Sequence, residues 1–301
     1  MKIVSFLPSA TEILYELGVQ DQIKAVTHEC NYPIQAKSKP RVIHIPFDPN
    51  KISSQEIDKK VVNLVRTGQD IYILDEQVLK NINPDVIISQ GICEVCSPYT
   101  TEINRAVTLL GEKLKIITLD PKNLDDILQN IIELGILVKK QDKAKNIVAK
   151  LQKRIDYIKN TKISSKPKVL CVEWLDPLYT AGHWVPQMVE MAGGINGISS
   201  TGEKSRRMEV DEIVKFDPDI IILMPCGFDL LRTIIEYEKL LENEKWRKIR
   251  AVRQGQVYGV NANEYFSKPG PRTVTGLEIL AKIIHPDTFR DLKIPEQAIP
   301  R

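Results

Sequence analysis

At 301 residues the chain is longer than the commonest single domain and long enough to bury two cores. Its 42 basic and 39 acidic side chains nearly cancel, to a formal +3, so the basic stripe of a nucleic-acid binder is excluded and no nucleic-acid partner is expected. Hydrophobic residues at 43% and charged residues at 27% exclude extended disorder, and no run approaches the roughly 20 apolar residues of a membrane span.

The chain opens on an apolar strand, Ile3 to Leu7, and a turn in which Ser9 caps a helix and Glu12 completes a capping box. A secretory leader would place a longer apolar segment and a small-residue cleavage site here, so a cytoplasmic location is expected. Apolar runs return at Ile23 to Thr27, Val86 to Ser89 and Ile116 to Leu119, and Ser53-Ser54-Gln55-Glu56 starts a helix reaching about Arg66. Such runs, alternating with helical stretches, read as a parallel sheet covered on both faces.

From Asp142 to about Asn160 the residues Ala144, Ile147, Val148, Leu151, Ile155 and Ile158 recur at steps of three and four. This predicts one amphipathic helix of roughly 28 Å, a rigid connector between lobes. Ser164-Ser165-Lys166-Pro167 breaks it, and strands are expected at Val169 to Glu173, Ile220 to Met224 and Val257 to Val260. Asn83-Pro84-Asp85-Val86-Ile87-Ile88 and Asp217-Pro218-Asp219-Ile220-Ile221-Ile222 are near copies, read as equivalent strands of pseudo-repeated lobes. The expected fold is α/β: two Rossmann-like lobes with parallel sheets, residues 1–140 and 162–301, joined by one long backbone helix over 141–161.

Ligands of open α/β sheets bind beyond the carboxyl ends of the strands. The residues that follow the apolar runs here include Pro8, Ser9, His28, Cys30, Gln90, Cys93, Cys96, Trp174, Cys226, Phe228, Asn261, Tyr265 and Phe266. Cys93-Glu94-Val95-Cys96 has the spacing by which two thiolates share a metal, and Cys30 and Cys226 end strands at the proposed cleft. Zinc or iron is the ion expected of such a set, with His28 and His183 as further ligands. For catalysis the chain is poor, without a phosphate loop, a zinc-protease motif or a nucleophile elbow. Asp75-Glu76 and Asp125-Asp126 read as helix starts.

The segments Ser5-Phe6-Leu7-Pro8-Ser9-Ala10-Thr11-Glu12 and His28-Glu29-Cys30-Asn31-Tyr32-Pro33 resemble the solute-binding proteins of iron-siderophore and cobalamin uptake systems. Tyr179-Thr180-Ala181-Gly182-His183-Trp184, Met191-Ala192-Gly193-Gly194 and Tyr265-Phe266-Ser267-Lys268-Pro269-Gly270-Pro271-Arg272 resemble the cobalamin-binding branch, and the resemblance runs through essentially the whole chain in order. It implies a non-catalytic receptor holding a flat metal chelate, a cobalamin-like corrinoid, in a cleft between the lobes. Trp184, Tyr179, Phe228, Tyr265, Phe266 and Pro8 suit the faces of a corrin, and Arg272, Ser9, Asn261 and Asn263 its amide rim. Tyr32, His28 and His183 complete the expected set, with cysteine sulfur or imidazole able to cap the cobalt. Met208 and Gln90 stand where bulky aromatics are expected in a cobalamin receptor, which implies a more polar pocket or a different chelate.

By position Glu102 and Glu212 correspond to the acidic residues that transport relatives present to an ABC permease. With a cytoplasmic location expected, the leading role is instead capture of the chelate inside the cell by a monomer or weak dimer. The alternative is a metal- or corrinoid-processing enzyme in which Cys30, Cys93, Cys96 and Cys226 hold a catalytic ion and His28 or His183 handles protons.

Overall fold

The expected apolar runs all become strands. The computed structural model describes residues 1–91, 100–111 and 113–295, Thr100 through its backbone alone. The chain divides into two units: Met1–Ile52, Lys59–Asp120 and Leu128–Val148 form the first, and Ser53–Asp58, Pro121–Ile127 and Ala149–Arg301 the second.

The first unit is built on β1 (Ile3–Ser5), β2 (Ile23–Thr27), β3 (Arg41–His44), β4 (Ile73–Leu74), β5 (Val86–Gln90) and β6 (Lys115–Leu119), in the order β4-β3-β2-β1-β5-β6. All neighbours are parallel except β4, which pairs antiparallel with β3 at the sheet edge. The short β3 and β4 lack the long apolar runs by which the other strands are legible. Helices α1 (Pro8–Glu16), α2 (Ser54–Arg66), α3 (Glu76–Ile82) and α4 (Thr100–Leu110) connect them. Val4, Phe6, Ala25, Ile87, Leu79 and Ala106 pack in the core.

The first helix begins earlier than expected. Leu7 is its N-cap, without a side-chain bond, and Pro8 occupies the first turn, where a missing amide donor costs nothing. Ser9 is therefore a helical residue rather than a cap. The second helix fulfils its reading: Ser53 N donates to Glu56 Oε2 at 2.8 Å, Glu56 N to Ser53 Oγ at 3.3 Å, and the helix ends at Arg66. Asp75 caps α3 through Val78 N at 2.9 Å.

Two helices follow, α5 (Leu124–Leu137) and α6 (Gln141–Asn160), the latter one residue longer at its start than the periodicity predicts. They turn sharply into one another, and a Cβ on Gly135 would stand 2.4 Å from Ala144 Cβ, so only glycine admits this approach. Asp125 and Asp126 lie in the first turn of α5, as read from the sequence.

The second unit has the sheet order β10-β9-β7-β8, from β7 (Val169–Leu175), β8 (Leu178–Thr180), β9 (Ile220–Leu223) and β10 (Val257–Gly259). Again one edge strand, β8, is antiparallel, here as the return of a hairpin from β7. Around it run α7 (Val185–Met191), α8 (Val210–Phe216), α9 (Leu230–Leu240), α10 (Glu244–Arg247), α11 (Arg250–Arg253), α12 (Ala262–Tyr265) and α13 (Thr273–Ile284). Trp246, Val172, Ile213, Ile221 and Ala251 are fully buried in its core.

The near-copy hexapeptides do the same work in each unit. Asn83 (φ 47°) and Asp217 (φ 50°) end α3 and α8 in the left-handed region, where Asn and Asp are the best tolerated residues after glycine. Asp85 then accepts from the amide of Lys2 and Asp219 from that of Lys168, both at 2.7 Å. The two ammonium groups reach the helix ends, Lys2 Nζ to Ile82 O at 2.9 Å and Lys168 Nζ to Phe216 O at 3.0 Å. Among the described residues no helix is long and apolar enough to cross a membrane.

Candidate functional site

In the first unit the strand order reverses between β1 and β5, which makes the carboxyl ends of these two strands the topological switch point. Pro8 and Ser9 follow β1 there, and Ser89 and Gln90 close β5. The hydroxyls of Ser9 and Ser89 are buried without a hydrogen-bond partner among the described residues. Pro8 is half-buried and Gln90 buried.

Beyond β2, His28 is half-buried, and burial holds its imidazole below the ordinary range against the opposing pull of Glu29. Its ring lies 6.2 Å from that of Tyr72. Tyr32 is 47% exposed and joined by a cis peptide to Pro33. It lines a cavity of ≈ 550 Å³ with Glu12, Tyr15, Pro33 and Gln35. The sequence places no cavity beside α1; its walls come from segments that only folding brings together.

Cys30 is wholly buried in a knot of hydroxyls. Its sulfur stands 3.1 Å from Thr11 Oγ1 and 3.5 Å from Thr27 Oγ1, and Thr11 donates to Ser5 Oγ at 3.0 Å. Cys93 and Cys96 lie outside the described residues. Cys226 is half-buried after β9 in the second unit, and Cys171 is buried within β7, where desolvation pushes its thiol far up. Among the described residues no three His, Cys, Asp or Glu side chains gather to hold a metal ion.

In the second unit the loops beyond β7, β8, β9 and β10 interlock. Trp184, 4% exposed, donates from Nε1 to Phe266 O at 3.1 Å, so Tyr179–Trp184 and Tyr265–Arg272 meet in space. His183 precedes it at φ 56° and stacks on Trp184 with ring centroids 5.6 Å apart. Its backbone is held on both sides, its amide donating to Glu203 O at 2.7 Å and its carbonyl accepting from Gly202 N at 2.8 Å. Phe228 is buried against Trp174 (5.2 Å, edge-on) and carries the Arg232 guanidinium 3.7 Å above its ring. Its carbonyl accepts from Asn263 N at 2.9 Å, Gly227 N donates to Ser267 Oγ at 3.0 Å, and Lys268 Nζ to Asn263 Oδ1 at 2.7 Å. Asn261 caps α12 through Glu264 N, Arg272 pairs with Glu264 at 3.4 Å, and Tyr265 is buried. Tyr179, half-buried, bridges to Arg207.

Sequence reasoning passed over Glu173, which organises this edge. Its carboxylate accepts from Gly182 N and Ser205 Oγ, both at 3.2 Å, while its carbonyl accepts from Cys226 N at 2.9 Å. The available signal was a lone acidic residue ending an apolar strand. Arg232, Ser205 and Ser267 carried no local signal. A second cavity, ≈ 310 Å³, opens beside the β7–β8 hairpin over Leu175, Leu178, Met208 and Leu240, with Glu236 in its wall. Met208 is thus a buried floor residue.

The two glutamates expected to dock a permease are not free surface residues. Glu102 is 5% exposed on α4, and Glu212 on α8 is engaged by both terminal nitrogens of Arg206, which hold its carboxyl below the usual range. Helical position suggested free exposure for both, but Glu102 is buried and Glu212, half-exposed, is held by Arg206.

A family model for the periplasmic binding proteins matches residues 3–264. The chain belongs to that family. Among relatives of this binding protein are an uncharacterized ABC transporter substrate-binding lipoprotein of Bacillus subtilis, 26% identical over 292 residues, covering 96% of this chain and 82% of the relative. The vitamin B12-binding protein of Vibrio cholerae is 22% identical over 284 residues, covering 92% and 86%. An ABC transporter substrate-binding protein from Listeria monocytogenes superposes with a TM-score of 0.71 over 95% of this chain and 99% of that one, at 17% identity.

Family membership makes this chain a non-catalytic binding protein, and the enzyme alternative falls. The expected cytoplasmic location is corrected by the same finding, since periplasmic binding proteins work outside the cytoplasm. The apolar run Ile3–Leu7 tells how the fold begins and carries no information on where the protein resides.

Proposed function

We propose that this binding protein captures a corrinoid of the cobalamin type and delivers it to an ABC permease. The observation that carries the reading is the bond from Trp184 to Phe266, which unites two of the three segments that resemble the cobalamin branch. A vitamin B12-binding relative aligned along 92% of the chain supports the same ligand class. Delivery to a permease rests on the relatives that are ABC transporter substrate-binding proteins.

In this reading the buried Trp184, Phe266, Tyr265, Phe228 and His183 shape the loops of the second unit, while Tyr179 and Arg272 offer contact surface. In the first unit Pro8, His28 and Tyr32 do so beyond the carboxyl edge, with Ser9 buried beneath them in α1. A corrin needs broad apolar contact and a few polar groups for its amide rim, and both edges supply that mixture.

The test is retention. Purified protein is mixed with hydroxocobalamin, passed through gel filtration and read by its visible spectrum, with haem and a ferric hydroxamate run in parallel. Stoichiometric retained corrinoid with a shifted spectrum is expected. Colourless protein, or retention of haem in preference, overturns the ligand assignment.

A further inference from the structure

The second half of α6 and the segment after it carry a charge imbalance that ligand capture does not use. Residues 150–166 hold six basic side chains against the single acid Asp156, a net +5 where the entire chain has only +3. One of the six, Arg154, is consumed internally: it donates to both oxygens of Glu278, at 2.8 and 2.7 Å, and to Thr275 Oγ1 at 2.8 Å, which fixes the inner face of the helix against α13. Asp156 is taken by Gln152 Nε2 at 2.9 Å.

The remaining five, Lys150, Lys153, Lys159, Lys162 and Lys166, are exposed and have no ion-pair partner among the described residues. Lys150, Lys153 and Tyr157 stand at i, i+3 and i+7 and so share one outer stripe of the helix. Tyr157 is 51% exposed and rests edge-on against Phe289 with ring centroids 6.2 Å apart, so an aromatic body with a polar tip sits among the ammonium groups. Lysines interleaved with an exposed tyrosine suit a layer of anionic headgroups above an apolar boundary, because the ammonium groups meet the phosphates while the phenol lodges at headgroup level. A merely solvated stretch needs neither so few acids along residues 150–166 nor an exposed aromatic.

We propose that this face of the second unit, centred on Lys150, Lys153 and Tyr157, rests on an anionic phospholipid surface and holds the binding protein near the membrane. Attraction of this kind falls off within a Debye length, so it is reversible and sensitive to salt. It is independent of which ligand is carried.

The experiment is sedimentation of the full chain with sucrose-loaded vesicles of phosphatidylcholine alone or mixed with an equal part of phosphatidylglycerol. Binding to the mixed vesicles at low salt, absent with phosphatidylcholine and lost near 0.5 M salt, is expected, since the Debye length then shrinks to a few ångströms (roughly 3 Å at 1 M). Each lysine near such a surface is worth roughly fivefold in partition, so K150E/K153E should weaken binding by about twenty-five-fold or more. Y157S should weaken it without altering the salt dependence. Circular dichroism and ligand retention of the variants, which alter exposed positions, show that the fold survives. Equal sedimentation with neutral vesicles, no sedimentation with anionic ones, or an unchanged K150E/K153E variant overturns the proposal. So does equally tight binding to heparin, which would mark a general polyanion surface.

Discussion

Trp184 and Phe266 lie 82 residues apart in the chain and are joined by one hydrogen bond, indole Nε1 to backbone carbonyl at 3.1 Å, in a buried setting. Substituting Trp184→Phe keeps most of the ring but leaves the Phe266 carbonyl without this donor. A buried acceptor stripped of its partner costs about 1–3 kcal/mol. We expect that loss in chemical denaturation, and at least a tenfold weaker retention of corrinoid because two ligand-shaping segments come apart. Unchanged retention would show that the bond serves stability alone.

Gly276, in α13, faces the carbonyl of Tyr265, and a Cβ there would lie 2.5 Å from that backbone oxygen. The obstructing atom is main chain and cannot swing aside. Gly276→Ala should therefore destabilise the protein by about 1–3 kcal/mol despite the better helix propensity of alanine, and should displace Tyr265 and Phe266. Tryptophan fluorescence, through Trp184, reads the displacement alongside the melting curve.

Asp85 and Asp219 each receive a backbone amide at 2.7 Å from the lysine that precedes a central strand. Asp85→Ala should cost about 1.5 kcal/mol, the lower end for charge-assisted bonds because this edge is open to solvent, and Asp219→Ala at least as much, because it also loses an ion pair with Arg250 at 2.7 Å. A loss at both positions would support equivalent roles for the two amide bonds, and a loss at only one would contradict it. Urea denaturation of each variant provides the measurement.

His28 titrates below its ordinary value of 6.5 in the folded chain because burial disfavours the imidazolium. Below that pH the unfolded chain binds the proton and the folded chain does not. Stability contributed by the neutral ring is thus present above about pH 6.5 and is lost as pH falls toward the lowered folded value. The wild type should lose stability from pH 6.5 downward, and His28→Asn should flatten that part of the profile. A variant with the same slope as the wild type would place the proton uptake elsewhere.

Much of the architecture was written locally. The capping box at Ser53 and Glu56, the apolar steps of α6 and the paired hexapeptides at 83–88 and 217–222 were legible because each depends on neighbours within one or two turns. The first helix start was misread by a residue or two, since Ser9 looks like a cap and Pro8 is equally content inside the first turn. The edge strands β4 and β8 were missed because they are two and three residues long and take their pairing from β3 and β7.

By itself the amino-acid order determined two α/β units with mostly parallel sheets, a long amphipathic helix, and the carboxyl edges that the candidate residues follow. Only the tertiary structure decided which of those residues are available. Cys30 disappeared into a hydroxyl knot, Glu102 was buried, Glu212 was claimed by Arg206, and Trp184 found the Phe266 carbonyl. Periodicity reports which face of an element is apolar, whereas exposure and hydrogen-bond partners depend on segments distant in the chain, and no local pattern encodes their arrival.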